Sequence, residues 1–168
     1  GPKTFFIHGN RDFLIGEVFA QETGITLLPD PYTLDINNQK VVVSHGDFLC
    51  TDDEGYMKFR NEVRTEQWQS NFMQKDLDER KQIAAALRAD SKAATSIKSD
   101  AITDVNPASV DVFIEEYKPD FLIHGHTHRP DVHDMGSCKR VVLGDWGSYG
   151  WFLTIDGQDF NLEKFSIS

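Results

Sequence analysis

The order of hydrophobic and polar positions predicts strands near both ends of the chain and helices between them. An apolar, β-rich run over 4–8 stops at a Gly-Asn pair, which predicts a buried core strand that ends in a turn. Residues 16–23 have a helical pattern that is closed by a glycine. The apolar runs 32–36 and 40–44 flank an Asn-Asn pair, and these residues tolerate positive φ, so a β-hairpin is expected there.

The middle of the chain has a pattern typical of helices. Apolar residues recur at near i, i+4 spacing between 53 and 100 without any strand signal, which predicts a helical cap inserted over 54–100. A further helix is expected over 107–117, with a proline at its first position and an apolar strand after it at 121–123. The apolar stripe of the cap consists of Trp68, Phe72, Met73, Leu77, Ile83 and Leu87.

The C-terminal part alternates apolar and polar residues. This pattern covers 140–143, 151–155 and 160–165, and an Asp-Gly pair between the last two runs predicts a second hairpin. A start that mixes strands with helices and an end rich in strands predict one α/β domain over 1–168. We expect two sheets packed together, with helices outside them.

Composition and charge narrow the possible functions. The chain has 168 residues, of which 39% are hydrophobic, as expected for one globular domain. Its formal net charge of −10 argues against general binding to nucleic acid. Positive charge is concentrated in 58–98, where nine Lys or Arg accompany six Asp or Glu, so this segment is suited to face an anion.

Neither a membrane span nor a disulfide framework is expected. No apolar run approaches the roughly 18 to 20 residues that a bilayer span needs, and the first residues lack a signal-peptide pattern. The sequence therefore predicts a protein that is neither secreted nor integral to a membrane. Cys50 and Cys138 are single thiols without CxxC spacing, which favours a reducing cytosol.

Three predicted strands end in turns that carry histidine or asparagine. Because ligands gather at the carboxyl ends of strands in open α/β sheets, these turns are expected to meet in one crevice. In extended backbone, the three histidines of the last turn would share one face, which predicts a site for manganese, iron or zinc. Packing or hydrogen bonding behind the ligands is the expected role of His8 and His124. The turns are His8-Gly9-Asn10, His45-Gly46-Asp47 and His124-Gly125-His126-Thr127-His128.

The same turns resemble the last three motifs of the calcineurin-like metallophosphoesterases, in the family's order along the chain. These motifs are Gly9-Asn10-Arg11-Asp12, His45-Gly46-Asp47 and Gly125-His126-Thr127-His128. Matching segments at 6–14, 49–53, 91–92, 98–99, 104–106 and 124–130 extend the resemblance to most of the chain. It implies a four-layer αββα sandwich with a helical cap and two divalent metal ions, usually manganese.

The resemblance also implies roles for single residues. Asn10, His45 and His126 would ligate one ion, and His128 would belong to the other. Arg11 and His126 fall at catalytic positions of the family. Thr95 stands where relatives commonly have asparagine. The positions expected to contact substrate are Asn10, Arg11, Asp53, Tyr56, Ser91, Thr95, Lys98 and His126.

One part of the family pattern is missing from this sequence. The family begins with an Asp-x-His motif and a Gly-Asp motif whose aspartate bridges the two ions, and neither precedes Gly9 here. The resemblance thus implies that about seventy N-terminal residues are absent and that the fold is incomplete at its N-terminus. An aspartate-bearing segment becomes an expected partner of this chain. Asp12 and Asp47 are expected to cap turns or to bind the ligands from behind.

The implied reaction is manganese-dependent hydrolysis of the pyrophosphate bond of UDP-2,3-diacylglucosamine to lipid X and UMP, in lipid A biosynthesis. Arg11 stands where other members have histidine. Arginine cannot donate a proton at neutral pH but holds phosphate oxygens firmly, which suits a leaving group that needs no proton. Another metallophosphoesterase activity and an inactive truncated chain are the alternatives.

The expected location is the cytoplasm, with peripheral contact to the inner membrane. The basic residues of the cap would meet the phosphate and headgroup surface. Within its apolar stripe, Trp68, Phe72, Met73 and Leu77 would line an acyl-chain chamber or touch the membrane. Core packing is an equal alternative for this stripe, because helical stripes of this spacing usually pack inside a protein.

Overall fold

The computed structural model describes residues 1–157 and 159–167. It divides into two compact units. The sheet unit is Gly1–Leu49 with Pro107–Ser168, and the helical unit is Cys50–Asn106. In chain order the elements are β1 (Thr4–Ile7), α1 (Glu17–Thr23), β2 (Ile25–Leu28), β3 (Tyr32–Ile36), β4 (Gln39–Ser44), a 3₁₀ turn (Asp47–Leu49), α2 (Glu54–Val63), α3 (Glu66–Met73), α4 (Leu77–Ser96), α5 (Pro107–Tyr117), β5 (Phe121–His124), β6 (Asp131–Asp134), β7 (Lys139–Val142), β8 (Tyr149–Asp156) and β9 (Asp159–Ser166).

A five-stranded sheet forms the centre of the sheet unit. Its strand order is β3-β4-β5-β7-β6. The three middle strands β4, β5 and β7 run parallel, and the outer strands β3 and β6 pair antiparallel to their neighbours. A parallel pair of β1 and β2 and an antiparallel hairpin of β8 and β9 complete the strands of the described residues. This mixed arrangement confirms the predicted α/β class.

The core lies between the central sheet and the β8–β9 hairpin. Side chains alternate along each strand, so Val41, Phe121, Ile123 and Val141 face one side of the sheet. Phe160 of the hairpin stacks on Phe121 with ring centroids 3.3 Å apart. Each fully buried aliphatic side chain contributes roughly 1.5–3 kcal/mol to stability. Residues packed against this cluster are Leu34, Ile36, Val43, Leu143, Leu153, Ile155, Phe160 and Leu162.

The opposite face of the sheet is equally dry along its middle strands. Val42 and Leu122 are fully buried there, and Val142 is 1% exposed. The same alternation places Ser44 and His124 on this face, at the carboxyl ends of β4 and β5. Ser44 and His124 therefore lie on the face of the sheet that is turned away from the hairpin.

Both predicted hairpins are confirmed. Asn37 and Asn38 connect β3 to β4 with φ of 55° and 64°, the left-handed values that an Asn pair tolerates. Gly157, with φ of 61°, lies in the turn between β8 and β9, and Gln158 falls outside the described residues. The Asn37 side-chain amide donates a 2.5 Å hydrogen bond to the carbonyl of Gly157, so the two turns touch.

The first strand differs from its prediction. We expected β1 to be a buried core strand, and that expectation is wrong, because Thr4 and Phe5 are exposed and Phe5 has 54% of its surface in solvent. Within the described residues β1 pairs only with β2. Strands β2 and β6 were missed. The β2 sequence follows directly on the glycine that ends α1, and β6 has only one apolar residue, so neither alternates clearly.

The helical unit consists of α2, α3 and α4. The side chains of Asp53, Thr65 and Asp76 cap these helices by accepting hydrogen bonds from backbone N–H groups three residues on. Helices were predicted here, but α4 contains no buried residue among those described. No helix in the described part of the chain is both long and apolar enough to span a bilayer.

The apolar stripe of the helical unit is only partly packed. Trp68 stacks on Phe72 with ring centroids 5.1 Å apart, and Phe72 is buried. Met73 and Leu77 are 53% and 58% exposed. Core packing thus explains Phe72, whereas Met73 and Leu77 face solvent. The last two residues of the stripe, Ile83 and Leu87, are half-buried.

Candidate active site

The ends of β4 and β5 bring two candidate turns together. The strands are parallel and in register, with Ser44 beside His124, so the residues after them leave the sheet side by side. The N–H of Gly125 donates a 3.1 Å hydrogen bond to the carbonyl of His45. The turn after one strand is thereby tied to the turn after the other.

His45 and His126 face each other across these turns. Nε2 of His45 and Nδ1 of His126 are 3.1 Å apart, and the rings meet edge to face with centroids at 4.9 Å. His126 takes a left-handed φ of 64°, and His128 does so with φ of 55°. A non-glycine residue in this region is strained, and such strain is concentrated at functional sites.

This geometry corrects one prediction. The idea that His124, His126 and His128 share one face of extended backbone is wrong, because the chain turns sharply after β5 and only His124 remains in the strand. His128 is exposed. The structure therefore pairs His126 with a residue of another strand end rather than with its sequence neighbours.

The turn after β1 lies against the ring of His45. A Cβ atom at Gly9 would be 3.0 Å from Cε1 and 3.2 Å from Nδ1 of His45, closer than a side chain normally allows. Asn10 is half-buried and directly follows this glycine, whereas Arg11 is exposed. A side chain at this position would crowd the imidazole, so glycine suits the close approach of the backbone. The three strand ends meet as the sequence predicted.

The side chains of His8 and Asp12 stabilise the turn after β1 by hydrogen bonds to its backbone. The carboxylate of Asp12 accepts a 2.5 Å hydrogen bond from the N–H of Gly9, which is the turn-capping role expected for Asp12. His8 Nε2 lies 2.7 Å from the carbonyl of Ile15, so it donates, and the loop is closed behind Arg11. His8 thus has the expected packing and hydrogen-bonding role.

Asp30 holds the His45 turn and was missed by sequence reasoning. Its carboxylate accepts a 2.5 Å hydrogen bond from the Ser44 hydroxyl and a 3.2 Å one from the N–H of His45. The Ser44 hydroxyl oxygen accepts in turn from the N–H of Gly46 at 2.9 Å. Asp30 lies 15 positions before His45, in the loop between β2 and β3, and no local pattern marks it.

His124 is buried and hydrogen-bonded, as expected for a residue behind the ligands. It is 1% exposed, and its Nε2 lies 3.0 Å from Nη1 of Arg140 on β7. Its Nδ1 lies 3.0 Å from the carbonyl of Gly125. Arg140 was missed as well, because in the sequence it is one more polar residue of an alternating strand. Asp47, also expected to be a supporting residue, is fully buried.

The helical unit gathers part of the expected substrate-binding set. Lys98 Nζ lies 2.7 Å from both carboxylate oxygens of Asp53, which is 8% exposed. The same carboxylate caps α2 through the N–H of Tyr56 at 3.0 Å. Asp53 therefore positions Lys98 and the start of α2 together.

Two other members of that set lie near the end of α4. Ser91 and Thr95 are both exposed and lie one turn apart on the same side of the helix. The Thr95 hydroxyl donates to the Ser91 carbonyl at 2.9 Å, and the N–H of Lys98 donates to the Thr95 carbonyl at 3.2 Å. Ser91, Thr95 and Lys98 thus follow one another along the C-terminal end of α4.

Comparison with known families agrees with the arrangement of the strand-end turns. Residues 1–130 match the calcineurin-like phosphoesterase family. The chain belongs to that family. The match contains all three strand-end turns, and the motif resemblance is confirmed.

Similar proteins carry more specific names. UDP-2,3-diacylglucosamine hydrolase of Enterobacter sp. (strain 638) is 48% identical over 98% of this chain and 70% of its own length. The protein of the same name from Klebsiella pneumoniae is 47% identical over the same shares. A solved archaeal phosphodiesterase shares 11% identity and has a TM-score of 0.48, with 97% of this chain and 68% of the other covered.

Calcineurin-like phosphoesterases use divalent metal ions, and one predicted ion fits the residues described here. The 3.1 Å between the His45 and His126 nitrogens is short enough for both to bind one ion at about 2.1 Å each. Two imidazoles with an amide oxygen suit manganese, iron or zinc. In the described part of the chain, no three His, Cys, Asp or Glu side chains lie together as a metal-binding group. The second ion, for which His128 alone was expected as a ligand, stays a prediction.

Proposed function

We propose that this phosphoesterase hydrolyses the pyrophosphate bond of UDP-2,3-diacylglucosamine to lipid X and UMP. The observation that carries the proposal is the pair of imidazole nitrogens, His45 Nε2 and His126 Nδ1, 3.1 Å apart beside the turn that carries Asn10 and Arg11. The choice of substrate rests on the names of the relatives that are 47% and 48% identical to the chain.

The sheet unit is proposed to perform the phosphoryl chemistry. Asn10, His45 and His126 would hold a divalent ion, for which we propose manganese. A bound ion of this kind supplies Lewis-acid polarisation and an activated water near neutral pH. Glycine at position 9 keeps the neighbourhood of the His45 ring free of side-chain bulk. His126, beside the scissile group, would stabilise charge that develops on phosphoryl oxygens.

Arg11 is proposed to bind the phosphoryl oxygens. It is exposed at the tip of a turn that His8 and Asp12 brace. A guanidinium stays protonated at neutral pH, so Arg11 would neutralise charge without donating a proton. A sugar 1-phosphate leaves as a stable anion, and such a leaving group requires no proton. This chemistry favours a diphosphate over a phosphomonoester.

The helical unit is proposed to bind the rest of the substrate. Lys98, fixed by Asp53, would pair with an anionic group, and Tyr56, Ser91 and Thr95 would supply further polar contacts. The exposed Met73 and Leu77 lie close in sequence to Arg80 and Lys81, a combination suited to peripheral contact with an anionic lipid surface. We propose the cytoplasmic face of the inner membrane as the location.

A comparison of two substrates tests this function. The purified protein is assayed with manganese on UDP-2,3-diacylglucosamine and on bis-p-nitrophenyl phosphate. We expect kcat/KM for the release of UMP from the first substrate to exceed kcat/KM for the second by at least about tenfold. Equal or better turnover of the second substrate would favour a general phosphodiesterase. Manganese binding without turnover of either would favour the alternative of an inactive chain.

A further inference from the structure

We propose that Arg140 and His124 form a positioning pair for the metal-ligand turns. Arg140 holds the buried imidazole of His124 in one tautomer, and that imidazole fixes the turn in which His126 faces His45. The consequence for metal binding rests on the proposed function. The tautomer itself does not, and it can be measured in the metal-free protein.

The tautomer follows from the partners of the two ring nitrogens. A guanidinium can only donate, so Nε2 of His124, 3.0 Å from Nη1 of Arg140, must accept. A backbone carbonyl can only accept, so Nδ1, 3.0 Å from the Gly125 carbonyl, must donate. Both contacts require the same neutral ring with its proton on Nδ1. The Arg140 guanidinium and the Gly125 carbonyl, at opposite edges of the ring, thus favour the same tautomer.

Burial makes this arrangement hard to replace. His124 has 1% of its surface in solvent, so water cannot readily take over either contact. If Arg140 were replaced by a residue that cannot donate, Nε2 of His124 would lose this hydrogen bond in a buried environment. A shift of the ring proton from Nδ1 to Nε2 would in turn break the hydrogen bond to the Gly125 carbonyl. The guanidinium therefore controls a hydrogen bond on the far side of the ring.

The ring lies where both ligand turns can be affected. A Cβ atom at Gly46 would be 2.7 Å from Nδ1 and 2.9 Å from Cβ of His124, so the residue after His45 rests directly on this imidazole. Gly125, whose carbonyl accepts the Nδ1 proton, precedes His126 and also donates to the His45 carbonyl. His124 is thus the buried contact that the two turns share.

Arg140 reaches this point from a separate strand. It lies on β7 beside Leu122 of β5, and its backbone does not enter either ligand turn. Partners that orient ligands from behind typically change metal affinity by 10- to 100-fold when they are removed. We expect an effect of that size from Arg140, although it does not bind the metal.

Nitrogen-15 NMR of the metal-free protein tests the tautomer. In the wild type, His124 should show a protonated Nδ1 and an unprotonated Nε2, and Arg140→Met should lose that single-tautomer signature. Arg140→Lys retains a donor and should restore it. Lys139→Met, a change at the preceding exposed position of β7, is the matched control and should leave the signature intact.

Manganese affinity, measured by electron paramagnetic resonance on the same proteins, tests the consequence. The Kd should rise about 10- to 100-fold in Arg140→Met and stay within about threefold in Arg140→Lys and Lys139→Met. A wild-type His124 protonated on Nε2 would overturn the proposal even if Arg140→Met failed to fold, as would an Arg140→Met protein with unchanged tautomer and affinity. If the tautomer depends on Arg140 but the wild type binds no manganese, the positioning pair stands and the proposed metal chemistry fails.

Discussion

The two units of this chain hold their candidate residues in different ways. In the sheet unit, His45 and His126 follow the ends of parallel strands, and the N–H of Gly125 donates to the His45 carbonyl. Asp30 and His124 support the two turns from behind. In the helical unit, Ser91 and Thr95 project from an exposed helix. The candidate groups for chemistry thus lie in braced turns at the strand ends of the sheet unit. The candidate groups for binding lie on or beside helices, and Asp53 and Lys98 form a largely buried ion pair there.

The largest expected effect comes from removing one member of the imidazole pair. His45→Ala or His126→Ala should lower kcat on the order of 10³-fold, the upper range for loss of a single electrostatic group, and should abolish manganese binding. Steady-state kinetics with manganese titration measures both. His133→Ala, on β6, is the control and should behave like the wild type. Full activity of either pair variant would show that the sheet unit is not the chemical centre.

Breaking the ion pair of the helical unit should change stability and binding more than the chemical step. Lys98→Met leaves the Asp53 carboxylate buried without its cation, which should cost about 3 kcal/mol in urea unfolding and raise KM more than it lowers kcat. Lys75→Met is the matched control, because its pair with Glu79 is exposed and should contribute well under about 1 kcal/mol. Equal losses of unfolding free energy in Lys98→Met and Lys75→Met would contradict the expectation that the Asp53–Lys98 pair contributes more to stability than the exposed pair.

Loss of the carboxylate behind His45 should have an intermediate effect. Asp30→Asn removes the charged acceptor of the Ser44 hydroxyl and the His45 N–H, so manganese affinity should fall about tenfold with the fold intact. Asp35→Asn is the control, since Asp35 accepts a backbone hydrogen bond in the β3–β4 turn instead. An unchanged manganese affinity would show that the Asp30 carboxylate is not needed to position His45.

The smallest effect is expected at Cys138. Burial raises the pKa of its thiol above 9.0, and the nearby Arg140 opposes that shift. The folded state therefore keeps the thiol proton more firmly than the unfolded state does. Stability should be unaffected below pH 9 and should fall as the pH rises past it. Unfolding followed from pH 7 to 10, with Cys138→Ser as the reference, measures this, and a loss already at pH 8 would contradict it.

Local signals explain what the sequence predicted well. The Asn37-Asn38 turn and the first position of α5 at Pro107 depend on backbone preferences of the residues themselves. The meeting of His45 and His126 was foreseen because parallel strands of one sheet end at the same edge. Cys50 and Cys138 are both buried thiols, and within the described residues neither takes part in a disulfide.

Contacts between distant parts of the chain explain what the sequence did not reveal. The roles of Asp30 and Arg140 depend on strands and loops that meet only in the folded chain. The left-handed backbone of His126 and His128 follows from the turn after β5, which overrides the extended pattern of the sequence. The exposure of Phe5 depends on which strands lie beside β1. None of these is a property of a short segment.

The contact between the two hairpin turns has a consequence for folding. A shift of β8 against β9 by one residue would turn Leu153 and Ile155 out of the core, because side chains alternate along a strand. The same slip would also move the Gly157 carbonyl away from the amide of Asn37, which is anchored at the end of the other sheet. The native register of β8 and β9 is therefore favoured by this hydrogen bond to the central sheet, in addition to the apolar core between the hairpin and that sheet.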